Sequence, residues 1–165
     1  MTDKPANQRS AVYEPGYQGE NQDAQEYLIF RLGTEEYGVN ILHVQEIRNY
    51  ETMTRVPYAP VHMKGVVNLR GVIVPVIDLR MKFNLPDVRY DELTVVIVLH
   101  VANRITGIVV DSVSDVFMLG EKQVQAAPDL GDDPNSGLIV GLGTLDEHML
   151  ILLDAEKLVS HDTVA

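Results

Sequence analysis

The sequence predicts an all-β fold with a few short helices. Three observations point there: short Val- and Ile-rich runs, frequent Gly, Pro and Asn between them, and no segment carrying a long helical stripe. Many short strands with frequent turns argue for barrels or sandwiches.

Residues 1–24 are polar, carry Pro5, Pro15, Gly16 and Gly19, and show little apolar periodicity. They offer too little to bury against the entropy of ordering and are expected to form a flexible tail. From Glu26 the texture changes. Strands are expected at Tyr27–Leu32, Glu36–Ile41, Glu46–Tyr50, Val66–Leu69, Val72–Ile77, Thr94–Val101, Thr106–Asp111, Asp115–Leu119, Leu138–Leu142 and Met149–Leu153. Helix is expected only at Leu79–Phe83 and Ala155–Val159. Asp78 and Asp154 precede them and suit N-caps, because a carboxylate accepts from the first free backbone amides. Pro75 cannot donate to a ladder and predicts an edge or a bulge. Residues 160–165 are expected to be a C-terminal tail.

The chain also repeats itself. Leu28–Ile47 lies over Ile97–Val116 with apolar residues on apolar residues; Gly38 meets Gly107, Val44 meets Val113 and Glu46 meets Asp115. After an insertion attributed to Asp129–Gly137, Gly65–Gly71 meets Gly137–Gly143, and Val76–Phe83 meets Leu152–Val159. Feature order is shared, which favours two similar β units, roughly 25–84 and 85–159. Whether strands cross between them is left open.

That alignment puts Leu142 opposite Arg70, an arginine set in the oily run Gly65–Arg80. Asn68-Leu69-Arg70-Gly71 suits a type I turn closed by a left-handed glycine. A leucine at the matching place implies that the hairpin forms without the arginine.

Composition excludes several function classes. With 13 basic and 24 acidic residues the net charge is -11, which disfavours nucleic acid and anionic membranes as partners. Cysteine is absent, so there is no disulfide, thiol nucleophile or cysteine metal site. No apolar run is long enough to span a bilayer and none resembles a signal peptide, so a cytoplasmic protein is expected. The histidines lack metal-ligand spacing, no nucleophile elbow or phosphate loop is present, and the acidic residues Asp129, Asp132 and Asp133 lack the closing glutamate of a calcium loop. Glu35–Glu36 reads as an exposed hairpin tip. No cofactor and no catalytic or metal site is expected, and a binding module is favoured over an enzyme.

The segments EYLIFRLGTEEYGVNILHVQEI, KGVVNLRGVIVPVIDLR and GIVVDSVSDVFML closely resemble the CheW-like domain family of chemotaxis coupling proteins, over about Glu26 to Val159. The related regulatory domain of the kinase CheA shares this signature, but the chain has no room for the other domains of a kinase. The resemblance implies two five-stranded, SH3-like β-barrels sharing a hydrophobic core. It also implies a non-enzymatic adaptor that couples CheA, through its regulatory domain, to the cytoplasmic tips of methyl-accepting chemoreceptors in signalling arrays. An adaptor of the same fold serving another receptor–kinase system is the alternative; a hydrolase or small-ligand binder on a β-barrel scaffold is the remote one. Carried over residue by residue, Val44 and Glu46 match the segment tied to receptor and kinase coupling, and Arg70 matches the motif arginine. Val113 and Val116 match a receptor-facing groove between the barrels. For the valines, plain core packing is the competing reading; for Glu46, a solvated strand face. Glu46 and Arg70 are expected to form an ion pair at the surface of the first barrel.

Overall fold

Alternation along each strand builds this molecule, because successive side chains leave opposite faces of a sheet. In β1 (Gln25–Leu32), Leu28, Phe30 and Leu32 enter one buried cluster while Ile29 enters another. In β6 (Val95–Val101), Ile97, Leu99 and Val101 join that first cluster while Val96 and Val98 enter a third. The first cluster is therefore a shared core, and the other two are the interiors of two small barrels.

The computed structural model describes residues 24–128, 131 and 135–160; the expected tails lie almost wholly outside these, as does most of the 129–137 loop. After β1 come β2 (Glu35–Asn40), β3 (Val44–Asn49), β4 (Met63–Leu69), β5 (Val72–Asp78) and helix α1 (Leu79–Lys82). Then follow β6, β7 (Arg104–Val110), β8 (Ser112–Leu119), a short β9 (Val124–Ala126), β10 (Ile139–Leu145), β11 (His148–Leu153) and helix α2 (Ala155–Leu158). The first barrel has strand order β3-β6-β7-β5-β4, and the second β8-β1-β2-β11-β10-β9. The fold is all-β with two SH3-like barrels around one core; β9 adds a sixth strand to the second. Each barrel takes strands from both halves of the sequence. Parallel pairs, β2 with β11 and β5 with β7, stitch the halves together.

The two barrels share their irregularities. Bulges fall between Val44 and Glu46 against β6, and at the matching place between Val113 and Asp115 against β1. Gly38 and Gly107 hold equivalent positions in β2 and β7. A Cβ on Gly107 would lie 2.8 Å from a Val96 methyl, and one on Gly38 would lie 3.1 Å from Ile29 and Leu152. These glycines let strands close over the barrel interiors.

Asp78 and Asp154 cap their helices, each accepting from a backbone amide two residues on at 3.0 Å. Both helices stop one residue earlier than expected, at Lys82 and Leu158. Pro75 is not on an edge strand, since β5 lies between β7 and β4, but a bulge in the β4–β5 pairing falls just after it, between Gly65 and Met63 opposite Val76 and Ile77. Its partner Val66 directs its own backbone bonds to Thr54, and the β5–β7 ladder begins only at Val76. The missing N–H thus falls where no ladder bond is made.

The hairpin at Arg70 differs from expectation in two ways. Leu69 pairs with Val72, so Arg70-Gly71 is a two-residue turn with φ of 52° and 92°, in the manner of type I′ and not type I. In the second half the turn is Asp146-Glu147, between Leu145 and His148, and Leu142 lies inside β10. Arg70 therefore corresponds to Asp146, not Leu142. Gly141 and Gly143 mark close packing: a Cβ would come within 2.8 Å of Gln125 and 2.7 Å of Leu119, respectively.

Candidate protein-docking site

β3 and β4 are the two edges of the first barrel's sheet, and the barrel's seam runs between them. Glu46 stands on β3 immediately after the bulge, and Arg70 stands at the tip of the β4–β5 hairpin. Across the seam the Arg70 guanidinium donates a short charge-assisted hydrogen bond to Glu46 Oε2. Arg48 donates to the other carboxylate oxygen at 3.3 Å, and the Gln45 amide to Oε2 at 3.3 Å. Gln45 is the bulged residue, so the irregularity brings a third donor to the carboxylate. These hydrogen bonds, Arg70's first, hold Glu46 down from its ordinary 4.5 to about 2, and the carboxylate raises Arg70 in turn. The expected ion pair is present. It is lopsided: Glu46 is half-buried, whereas the Arg70 side chain is 65% exposed.

Arg70 sits in a left-handed backbone conformation that glycine, asparagine and aspartate adopt far more readily. The second half obeys that preference with Asp146, also at positive φ. An arginine there runs against local backbone preference. The side chain itself is the reason to look for a role outside the fold.

The valines divide. Val44 and Val113, at matching starts of the two edge strands β3 and β8, are half-buried and pack on the shared core. Val116 is 43% exposed on β8, opposite Leu28 of the core. Its counterpart on β3 is Ile47, 44% exposed and opposite Ile97 of the core. Each edge strand thus carries an apolar pair, one member half-buried against the shared core and one exposed at its rim. Ile47 was legible in the repeat, since it aligns with Val116, but was not singled out.

Sequence reasoning also missed a buried ionic cluster. Arg80, only 2% exposed, grips Asp78 with Nε to Oδ1 at 3.0 Å and Nη2 to Oδ2 at 2.9 Å. Its Nη1 donates to Asp111 Oδ1 and to the Arg89 carbonyl, both at 2.6 Å. The Tyr90 hydroxyl donates to Asp78 at 2.6 Å, and the Arg80 guanidinium lies 4.9 Å over the Tyr90 ring. Asp111 also accepts from the Gly33 amide at 2.6 Å, in the β1–β2 turn of the other barrel. Burial by itself would raise the Asp78 carboxyl, but the bonds from Arg80 and Tyr90 prevail and hold it below the usual range. The cluster ties helix α1, the 83–94 loop and both barrels. The Asp-Leu-Arg triplet was its only sequence signal.

Glu36 is not merely exposed either. It receives the His148 ring Nδ1 at 2.6 Å across the β2–β11 pair, and that contact raises the imidazole pKa. No helix among the described residues is long and apolar enough to cross a membrane.

The CheW-like domain model matches residues 26–163, the whole of the two-barrel body. The chain belongs to the CheW-like domain family. It is 55% identical to the chemotaxis protein CheW of Klebsiella aerogenes over 141 residues, covering 86% of this chain and 85% of that one. To the probable chemotaxis protein CheW of Rhizobium etli it is 34% identical over 140 residues, 85% of this chain and 90% of that one. The crystal structure of the scaffolding protein TtCheW from Thermoanaerobacter tengcongensis matches with a TM-score of 0.74 at 27% identity, over 79% and 88% of the two chains. Members of this CheW-like family are chemotaxis scaffolds of a non-catalytic type.

Proposed function

We propose that this CheW-like chain is a non-enzymatic adaptor of bacterial chemotaxis. It holds the regulatory domain of the histidine kinase CheA to the cytoplasmic tips of methyl-accepting chemoreceptors. It works in the cytoplasm, recruited to the membrane's inner face through those receptors, with neither nucleic acid nor cofactor. A two-barrel body gives it two faces, as simultaneous engagement requires, and modest single contacts gain from avidity in an array. Glu46 and Arg70, with Val44 beside them, form the coupling face of the first barrel. Val113 and Val116 border the groove in which a receptor helix lays its apolar side.

The observation that carries this reading is the Arg70 turn. An exposed arginine is kept in a conformation other residues prefer and is aimed by a half-buried glutamate. Surface ion pairs contribute little to stability, so a geometry held this firmly favours recognition over folding. The test is a pull-down with the CheA regulatory domain and a receptor signalling fragment, separately and together. The native chain should capture both at once, and Arg70→Ala should lose at least one while remaining folded. A folded Arg70→Ala chain that captures both as well as the native chain removes the reading.

A further inference from the structure

Glu46 and Arg70 belong to elements that no ladder joins, since β3 and β4 are opposite edges of their sheet. The pair must therefore be aimed from each side separately. On the glutamate side, Gln45 and Arg48 hold the carboxylate. On the arginine side, the side chain hangs from a two-residue turn, and the form of that turn sets its direction.

In such a turn the amide between the two central residues has no ladder partner. Here it is taken: the Gly71 N–H donates to Asn68 Oδ1 at 2.8 Å. The two turn forms favoured in hairpins differ by a flip of this central peptide. Type I′ has positive φ at both residues and type II′ at the first alone. With φ of 52° at Arg70 and 92° at Gly71, the turn is in the first form. A tethered amide resists the flip.

The second hairpin lacks this tether. Leu69 and Leu145 both stand directly before their turns, so Thr144 takes the place of Asn68. Among the described residues Thr144 makes no hydrogen bond to its turn. The supports on the facing strand are gone as well. Ser114 and Phe117 stand where Gln45 and Arg48 stand, and Asp115 turns back to the Val116 amide at 2.7 Å. The tether is present where an arginine must be aimed and absent where the turn carries an aspartate.

We propose that Asn68 is a positioning residue of the docking site: its side-chain bond to the Gly71 amide fixes the turn from which Arg70 reaches Glu46. It acts through the arginine and touches no partner itself. This rests on the reading that a partner docks at Glu46–Arg70. With the receptor helix in the groove beside Val113 and Val116, the partner at this pair is the kinase regulatory domain.

Asn68→Thr installs the residue that the second hairpin already carries, so the chain should fold and melt near the native temperature. In the chain alone, the Gly71 amide should exchange faster with solvent. The Glu46 carboxyl midpoint should rise from about 2 towards its value in Arg70→Ala. Asn68→Asp keeps an acceptor within reach of the amide and should keep its protection. Native Gly71 exchange and native Glu46 titration in Asn68→Thr overturn the proposal, whatever the partner does. Titrated with the kinase regulatory domain, Asn68→Thr should bind about tenfold more weakly, while the receptor fragment binds as before. In an Arg70→Ala background the same substitution should cost nothing further, because no arginine is left to aim. An equal loss in both backgrounds means that Asn68 meets the partner directly and overturns the proposal. If Arg70→Ala itself binds the kinase domain normally, the docking reading falls, and the Gly71 and Glu46 readouts decide the role of Asn68. Should Asn68→Thr fail to fold, Asn68→Ala carries the same comparisons.

Discussion

Arg70 and Asp146 occupy the same place in two matching hairpins, each the first residue of a two-residue turn, with φ of 52° and 55°. Aspartate is at home in that conformation and arginine is not. Arg70→Gly and Arg70→Asn should therefore leave the melting temperature unchanged or raise it, while sharply reducing assembly with receptor and kinase. Thermal melts and pull-downs on the same preparations check both halves of the statement. A clear fall in melting temperature would return Arg70 to the fold.

The pair and the separate charges can be told apart. Exchanging the two, Glu46→Arg with Arg70→Glu, should recover part of the assembly lost by either single change if the pair is recognised as a shape. It should recover none if each residue touches a partner by itself. Glu46 also reports the contact directly. Its folded pKa lies below its unfolded one, so its contribution to stability is complete above about pH 4.5 and fades as pH falls towards 2. A carboxyl titration by NMR should show a midpoint near 2 that rises in Arg70→Ala.

Val116 and Val113 are expected to respond differently. Val116→Asp, at the exposed rim, should weaken receptor capture more than kinase capture with little change in folding. Val113→Asp puts a charge against the shared core and should lower the melting temperature. Equal loss of both partners and of folding cooperativity at Val116 would count against the groove.

Arg80 should behave unlike Arg70. Its removal strands Asp78 in a dry site, and breaking such a pair costs about 3–5 kcal/mol. Arg80→Leu should destabilise strongly by chemical denaturation. The further substitution Asp78→Asn should recover part of the loss, because it removes the stranded charge. The same loss with and without Asp78→Asn would assign Arg80 a packing role alone.

His148 supplies a pH dependence of opposite sign to that of Glu46. Its ring faces Glu36, with Asp146 and Glu147 nearby and Phe117 at its edge. A raised histidine pKa means that the contribution is complete below about pH 6.5 and is lost as pH rises through the folded value. Melting temperature should decline gently over that range, and Glu36→Gln should flatten the decline.

The fold was legible because alternation and turn residues repeat along the chain. The strands fell close to their predicted positions, and the Asp78 and Asp154 caps were found where their side chains allow them. Glu46 with Arg70 was legible through its motif and through the fit of guanidinium to carboxylate. The second hairpin was misjudged because glycine has two uses. Gly141 and Gly143 read as a turn but serve close packing inside β10. β9 went unseen because three residues carry no period, and its position is set by Gly141 and Gly143 on the neighbouring strand. The Arg80 cluster was hidden for a different reason. Asp78, Asp111 and Tyr90 come together only through the sheet pairing, and sequence spacing does not show that.

The strand order has a consequence for biosynthesis. Every strand of the first barrel lies within one stretch, Val44 to Val110, while the second barrel is built from β1 and β2 at one end and β8 to β11 at the other. Domains tend to fold as they leave the ribosome, earlier residues first. Here the earliest strands cannot finish. Leu28, Phe30 and Leu32 can dock on the first barrel once it closes, but the far edge of β2 waits for β11, whose last residue is Leu153. A ribosome stalled before that point holds a completed barrel beside a half-built one, with an unpaired strand edge exposed. The final strand thus acts as the latch of the whole body, and chains ending short of it are the ones that chaperones and proteases should find.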